Sequence, residues 1–138
     1  SMICGKNRKN MTRRLIIRLS SLGDVILATS ALEALQRRGE PPVDWVTSRE
    51  YVSLLQGHPM IRRVIAFDRK SGLDGWGSLS RELWNEKYDE ILDLHDTLRS
   101  RMLQRWFSGY AQQNPMQARP RWIRFPKQRG RFAGLTAI

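Results

Sequence analysis

The 138-residue sequence has one cysteine and two histidines, and none of its apolar runs approaches the ~20 residues a membrane-crossing helix needs. A lone Cys4 cannot form an internal disulfide or a cysteine metal site. His58 and His95 are too few for a histidine cluster, so no metal site is expected. The polar, basic first 14 residues have no signal-peptide core, and the expected location is cytoplasmic. Acidic residues are missing from 1–18 and from 99–138, which hold six and nine Lys/Arg. Residues 19–98 carry nine basic and 13 acidic side chains, so the net +11 divides into −4 for the body and +15 for the two ends. Such ends suit nucleic acid, an anionic membrane surface or a phosphorylated ligand, and equally solvated tails.

Residues 14–38 organise what is present. The apolar run Leu15–Leu19 has β-branched residues at its centre and is too short for an independent helix, so it predicts a buried strand. After the loop Ser20-Ser21-Leu22-Gly23-Asp24, the residues Val25, Ala28, Leu32 and Leu35 recur at three and four, one apolar stripe on a helix. Arg37 and Arg38 suit its negative end, Gly39 suits a left-handed cap, and Pro41-Pro42 stop continuation. Strands are also expected at Val43–Thr47, Val64–Phe67 and Tyr88–Leu94. A short helix capped by Ser48 runs to Leu55, where Gly57, His58 and Pro59 close it. A second spans Leu79–Glu86, and a third runs to Phe107 with Leu98, Met102, Leu103 and Trp106 inward. The three glycines in 68–78 read as a loop, with Trp76 free to stack on a sugar, while Trp45, Trp84 and Trp106 take core positions.

Alternating strands and helices predict an α/β fold, a Rossmann-like, mostly parallel sheet with helices on both faces. Right-handed crossovers would bring the loops at 20–24, 47–49, 68–78 and 95–97 to one rim, where such sheets bind ligands. The expected organisation is a disordered basic tail over 1–12, a Rossmann-like domain over 13–110, and a basic tail or truncated linker over 111–138. In that last stretch Arg119, Arg121, Arg124, Lys127, Arg129 and Arg131 alternate with Trp122, Phe125 and Phe132. A nucleic-acid-binding module built on this stretch is an alternative, weakened because no zinc-finger spacing or RNA-binding motif accompanies it.

The 20–24 loop has neither the three spaced glycines of a dinucleotide fingerprint nor the Gly-Lys-Ser/Thr ending of a P-loop. It still offers a helix N-terminus to an anion. Gly23 serves a tight turn in this reading. Asp24 has two competing roles, capping the helix or taking a proton from a hydroxyl nucleophile, and both need the same oxygens. Asp93, His95 and Asp96 cluster after the fourth strand, where Asp93 and His95 would share a side and could pair. Arg99 and Ser100 open the next helix within reach of an anionic ligand, or are simply solvated.

The segments RLIIRLSSLGDVILATSALEAL, VDWVTSREYVSLLQGHPMIRRVIAFDR and YDEILDLHDTLRSRML together resemble the bacterial ADP-heptose:lipopolysaccharide heptosyltransferase family, glycosyltransferase family 9, over residues 13–108. The resemblance implies the N-terminal, acceptor-binding half of a two-domain GT-B enzyme that inverts the anomeric centre without a metal or other cofactor. A separate C-terminal half would hold the donor, ADP-heptose or a related nucleotide sugar. The acceptor would be a lipid-linked, phosphorylated saccharide of the lipopolysaccharide core, met at the inner face of the inner membrane. The family's S-x-G-D segment falls on Ser21 to Asp24, making Asp24 the general base, with Ser20, Ser21 and Gly23 shaping its loop. The D-x-Q-G segment falls on Asp93 to Asp96, with His95 in place of Gln and Asp96 in place of Gly. Arg99 and Ser100 match the basic-plus-serine pair that follows, so His95, Asp96, Arg99 and Ser100 are expected acceptor contacts. A non-catalytic half-domain for assembly or regulation is the remaining alternative.

Overall fold

The computed structural model of the chain describes residues 12–125. The expected N-terminal tail, save Thr12, lies outside them with Cys4, as do Lys127, Arg129, Arg131 and Phe132. Five strands, β1 (Arg14–Ile17), β2 (Val43–Ser48), β3 (Ile61–Phe67), β4 (Glu90–Asp93) and β5 (Arg121–Arg124), form one sheet in the order β3-β2-β1-β4-β5. Every neighbouring pair is parallel. The helices are α1 (Leu22–Arg37), the single turn α2 (Val52–Leu55), α3 (Gly72–Asn85) and α4 (Leu98–Gln113).

Helices cover both faces because side chains alternate along each strand. Leu15 and Ile17 of β1 join Leu79 and Leu83 of α3 and Leu103 and Phe107 of α4 in one core. Ile16 between them joins Val25, Leu32 and Leu35 of α1 and Leu55 of α2 in the other. All six residues of β2 are buried, as expected of a strand with a layer on each side. Gly39 closes α1 at φ 71°, the left-handed position its place after Arg38 predicts.

Apart from strand ends, with β3 starting at Ile61 rather than Val64 and β4 confined to Glu90–Asp93, the fold differs from the sequence-based expectation in four places. Residues 68–78 are a one-turn 3-10 segment, Arg69–Ser71, followed by the start of α3, which begins seven residues before the expected Leu79. Glycines at 75 and 77 each cost a helix about 1 kcal/mol. Burial of Trp76 outweighs them, since an indole removes some 150–250 Å² from water, or about 4–6 kcal/mol. Trp76 is 0% exposed, packs edge-on against Phe67 at 4.9 Å and donates its Nε1–H to the Arg99 carbonyl at 2.8 Å. It is a core residue, and stacking on a ligand is removed from its roles.

Leu98 is the second correction: it opens α4 on the solvent side, 75% exposed, while Leu103 and Phe107 form the buried stripe. Third, Ser48 does not cap the following helix; its Oγ accepts from Arg69 Nε at 2.8 Å. Fourth, the 111–138 tail is shorter than expected. Helix α4 continues to Gln113 and Arg121–Arg124 add β5 to the sheet, with Trp122 edge-on to Phe107 at 5.7 Å.

Candidate functional site

With every strand parallel, all strand C-termini lie at one edge, and the strand order reverses at β1. Ligands of open α/β sheets settle in the crevice this reversal creates, here between the loops after β1 and β4. Backbone bonds join the loops: Ser48 N–H donates to Leu19 O at 3.1 Å and Leu94 N–H to Ile17 O at 3.1 Å. The rim predicted from the alternation of elements is therefore present, and Ser20, Ser21, Gly23, Asp24, Asp96 and Arg99 sit on it, with His95 beneath.

Asp24 occupies the third position of α1, whose N-cap is Ser21. Its Oδ2 accepts from Ser21 Oγ at 3.0 Å and meets Arg18 Nη2 at 2.5 Å. Partial burial pulls this carboxyl's pKa up, but the Ser21 hydroxyl and backbone N–H together with the charge and hydrogen bond of Arg18 outweigh that, holding it below the usual carboxylate value. The side chain is 37% exposed, so the carboxylate remains reachable from solvent. Asp24 thus reaches back to the N-cap and also faces the rim, and the competition foreseen between capping and proton transfer is built into one group.

Gly23 lies in the first turn of α1 with no atom within 4 Å of where a Cβ would stand and without a positive φ. A tight turn is not the reason for glycine at this position. It leaves open space beside Asp24.

Asp93 is fully buried. Its Oδ1 accepts from the backbone N–H of His95 at 3.0 Å and of Asp96 at 2.9 Å, and its Oδ2 from Arg124 Nε at 3.2 Å. The expected pairing with His95 is thus made through the His95 backbone, and Asp93 braces the turn. His95 is buried, 6% exposed, beneath the rim. Asp96 has φ 44°, and its carboxylate binds Arg101 at 3.0 Å and lies 3.5 Å from Arg124. Ser100 is 0% exposed; its Oγ accepts from Thr97 N–H and donates to Thr97 O, both at 3.0 Å. That hydroxyl closes the first turn of α4, which corrects its expected place among ligand contacts. Arg99 stays at the surface with its guanidinium over the Phe67 ring, 5.2 Å from the centroid.

Two arginines were not assigned to the site from sequence, Arg124 having been read only as part of the basic tail. Arg18 is 5% exposed within the apolar run, and Arg124 ties β5 to Asp93. An arginine inside a run otherwise destined for the core was itself a signal, because a buried cation requires a partner. Among the described residues no group of three or more His, Cys, Asp or Glu could hold a metal ion, and no helix is long and apolar enough to cross a membrane.

No family model matches the sequence. The chain is 30% identical over 89 residues to the lipopolysaccharide core heptosyltransferase OpsX of Haemophilus influenzae, a match covering 64% of this chain and 25% of that protein. Among solved structures it is similar to a family 9 glycosyl transferase from Veillonella parvula, with a TM-score of 0.61 and 28% identity over 67% of this chain and 28% of that one. The Escherichia coli heptosyltransferase WaaC, solved with ADP-2-deoxy-2-fluoro heptose, gives a TM-score of 0.54 and 25% identity over 66% and 32% of the respective chains. Over about two thirds of its length the chain is thus similar in sequence and fold to members of glycosyltransferase family 9. It spans between a quarter and a third of the length of these relatives and has the Rossmann-like architecture of a GT-B N-terminal half.

The glycine that the D-x-Q-G resemblance puts at position 96 would suit the backbone found at Asp96. A glycine there is a conformational requirement, since φ 44° is left-handed, and aspartate is among the few other residues that adopt this region without large cost. The substitution keeps the turn and adds a carboxylate for Arg101 and Arg124.

Proposed function

We propose that the chain is the acceptor-side half of an inverting, metal-independent heptosyltransferase. The whole protein would move a heptose, or a related sugar, from ADP-heptose or a similar nucleotide sugar to a phosphorylated saccharide of the lipopolysaccharide core. The observation carrying this reading is the solvent-reachable carboxylate of Asp24 at the point where the strand order reverses, its pKa held below the ordinary value. In the reaction an acceptor hydroxyl gives its proton to Asp24 while its oxygen attacks the anomeric carbon. The bond from that carbon to the nucleoside diphosphate breaks on the opposite face, and the configuration inverts. Groups that steady the departing diphosphate belong to the C-terminal half.

Ser20, Ser21 and Gly23 form the loop around the base, and the open space beside Gly23 gives an incoming sugar room. His95 and Asp96 wall the other side of the crevice. Arg99 supplies a surface cation for an acceptor phosphate. A lipid-linked acceptor places the work at the cytoplasmic face of the inner membrane, where anionic lipid attracts basic segments. The nucleic-acid alternative weakens because Arg121 and Arg124 of the basic stretch sit in β5 facing Glu90 and Asp93.

The test is nucleoside diphosphate release by the longer natural protein, comparing ADP-heptose with other sugar nucleotides in the presence of phosphorylated core acceptors. Asp24→Asn is expected to lower kcat by about 10²–10⁴-fold, the range of a lost general base. Undiminished turnover in Asp24→Asn would leave Asp24 with capping alone and favour the half-domain alternative.

A further inference from the structure

Among the described residues, Arg18 is an arginine buried between the loops after β1 and β4. Its backbone is fixed in the sheet: the N–H donates to Val46 O at 3.1 Å and the carbonyl accepts from Trp45 Nε1 at 3.4 Å. From there the side chain crosses the switch point. Nη1 donates to the Leu94 carbonyl, one residue before His95, and Nη2 meets Asp24 Oδ2 at 2.5 Å. Nε is buried and makes no hydrogen bond among the described residues.

A helix cap does not require this arrangement. Ser21 alone supplies a hydroxyl and a backbone N–H to a carboxylate in the third position of α1. Nor is sinking the guanidinium favoured on stability grounds, because its desolvation offsets much of the attraction to the partly exposed Asp24 and a buried Nε–H without a hydrogen bond adds to the cost. A forked guanidinium anchored on another loop does fix the direction in which a carboxylate points.

Resting on the reading of Asp24 as the base, we infer that Arg18 is a positioning residue, which is anchored on the Leu94 carbonyl and holds the Asp24 carboxylate so that the acceptor hydroxyl meets an oriented oxygen. Pinning has a chemical consequence. A carboxylate beside a fixed cation gives up basicity, because the protonated acid formed during transfer no longer attracts Arg18. Orientation must recover that loss, and a misplacement of about 1 Å is worth about 10²-fold in rate.

The first test uses this chain and needs no turnover. Carboxyl-carbon NMR should give Asp24 a midpoint below the ordinary aspartate value, and Arg18→Gln should raise it. In the unsubstituted chain the Arg18 Nη signals should move with the same midpoint as the Asp24 carbon, a measurement that stands even if Arg18→Gln does not fold. Arg18 signals indifferent to Asp24 protonation, or an unmoved Asp24 midpoint in folded Arg18→Gln, would overturn the inference. In the longer natural protein, Arg18→Lys keeps the charge but lacks the fork. It should lose about 10²-fold in kcat with the donor KM unchanged, and Arg18→Gln should in addition shift the acid limb of the kcat/KM profile upward. Unchanged kcat in both variants would overturn it as well. Failure of the base reading is a separate outcome, in which Asp24→Asn retains full turnover whatever Arg18 does.

Discussion

Asp93 offers the most direct check on how the rim is held. Its carboxylate has no exposure, and it satisfies two backbone N–H groups of the β4–α4 turn and one arginine from β5. Asp93→Ala removes all three hydrogen bonds at once. Each buried N–H left without a partner costs about 1–3 kcal/mol, so the two contribute about 2–6 kcal/mol. Water entering the vacated space recovers part of this, and Arg124 keeps Gln104 as a partner, so the net loss should be about 3–5 kcal/mol. Domains of this size have about 5–15 kcal/mol in total, so the variant should be markedly weakened. Asp93→Asn separates the contributions: its amide oxygen can still accept from His95 and Asp96, while its NH₂ faces Arg124, for a loss of about 1–2 kcal/mol. Urea unfolding followed by circular dichroism measures both, with the m-value serving as a control for an unchanged fold. If Asp93→Ala fell within about 0.5 kcal/mol of the parent, the carboxylate would not be bracing the turn.

Trp76→Ala should cost about 3–5 kcal/mol in the same unfolding experiment, as expected for a large core aromatic, whereas a residue stacking on ligand from a mobile loop would cost almost nothing. Burial and the hydrogen bond to Asp44 raise the Tyr88 phenol far above its usual pKa of 10.0, so its contribution to stability is complete below pH 10 and is lost as the pH rises beyond it. Thermal melts between pH 9 and 11 should therefore fall in the parent with a slope that Tyr88→Phe reduces, and equal slopes would show the phenol to be unperturbed. At Asp96, the left-handed backbone predicts that Asp96→Val loses at least about 1 kcal/mol more than Asp96→Asn by urea unfolding; equal losses would assign the whole effect to the lost carboxylate.

The elements legible in sequence were those whose burial is nearly complete. β1 carries the apolar run Leu15–Ile17 and β2 is rich in strand-favouring Val, Trp and Thr with every residue buried, while α1 shows a stripe because one face meets the core. The start of α3 was hidden because glycine content measures local propensity, while the contact that decides the matter, Trp76 against Phe67 and the Arg99 carbonyl, joins separate parts of the chain. The site was legible as far as its backbone: a loop after β1, a turn after β4 and a shared rim follow from the alternation alone. Which side chains on those loops face outward was not, because Ser100 and Asp93 are consumed by local hydrogen bonds that periodicity does not report.

The basic ends also take on another meaning in three dimensions. Arg13 reaches Glu86, Arg14 reaches both Glu40 and Glu90, and Arg18 reaches Asp24. At the other end Arg101 reaches Asp96, while parallel pairing sets Arg121 opposite Glu90 and Arg124 opposite Asp93. A sequence divided into a body of −4 and ends of +15 thus folds so that six of its terminal arginines lie against acids of the body. The more exposed of these pairs, such as Arg13–Glu86 and Arg121–Glu90, contribute only about 0–1 kcal/mol each. Their weight lies in register, because β5 carries arginines at the two positions where β4 presents its acids, and a slip by one residue would leave the buried Asp93 without its cation. The alternation of arginine and aromatic that resembled a nucleic-acid-binding tail is, over residues 121–124, the pattern of an edge strand whose Trp122 packs on the core and whose arginines meet the neighbouring acids.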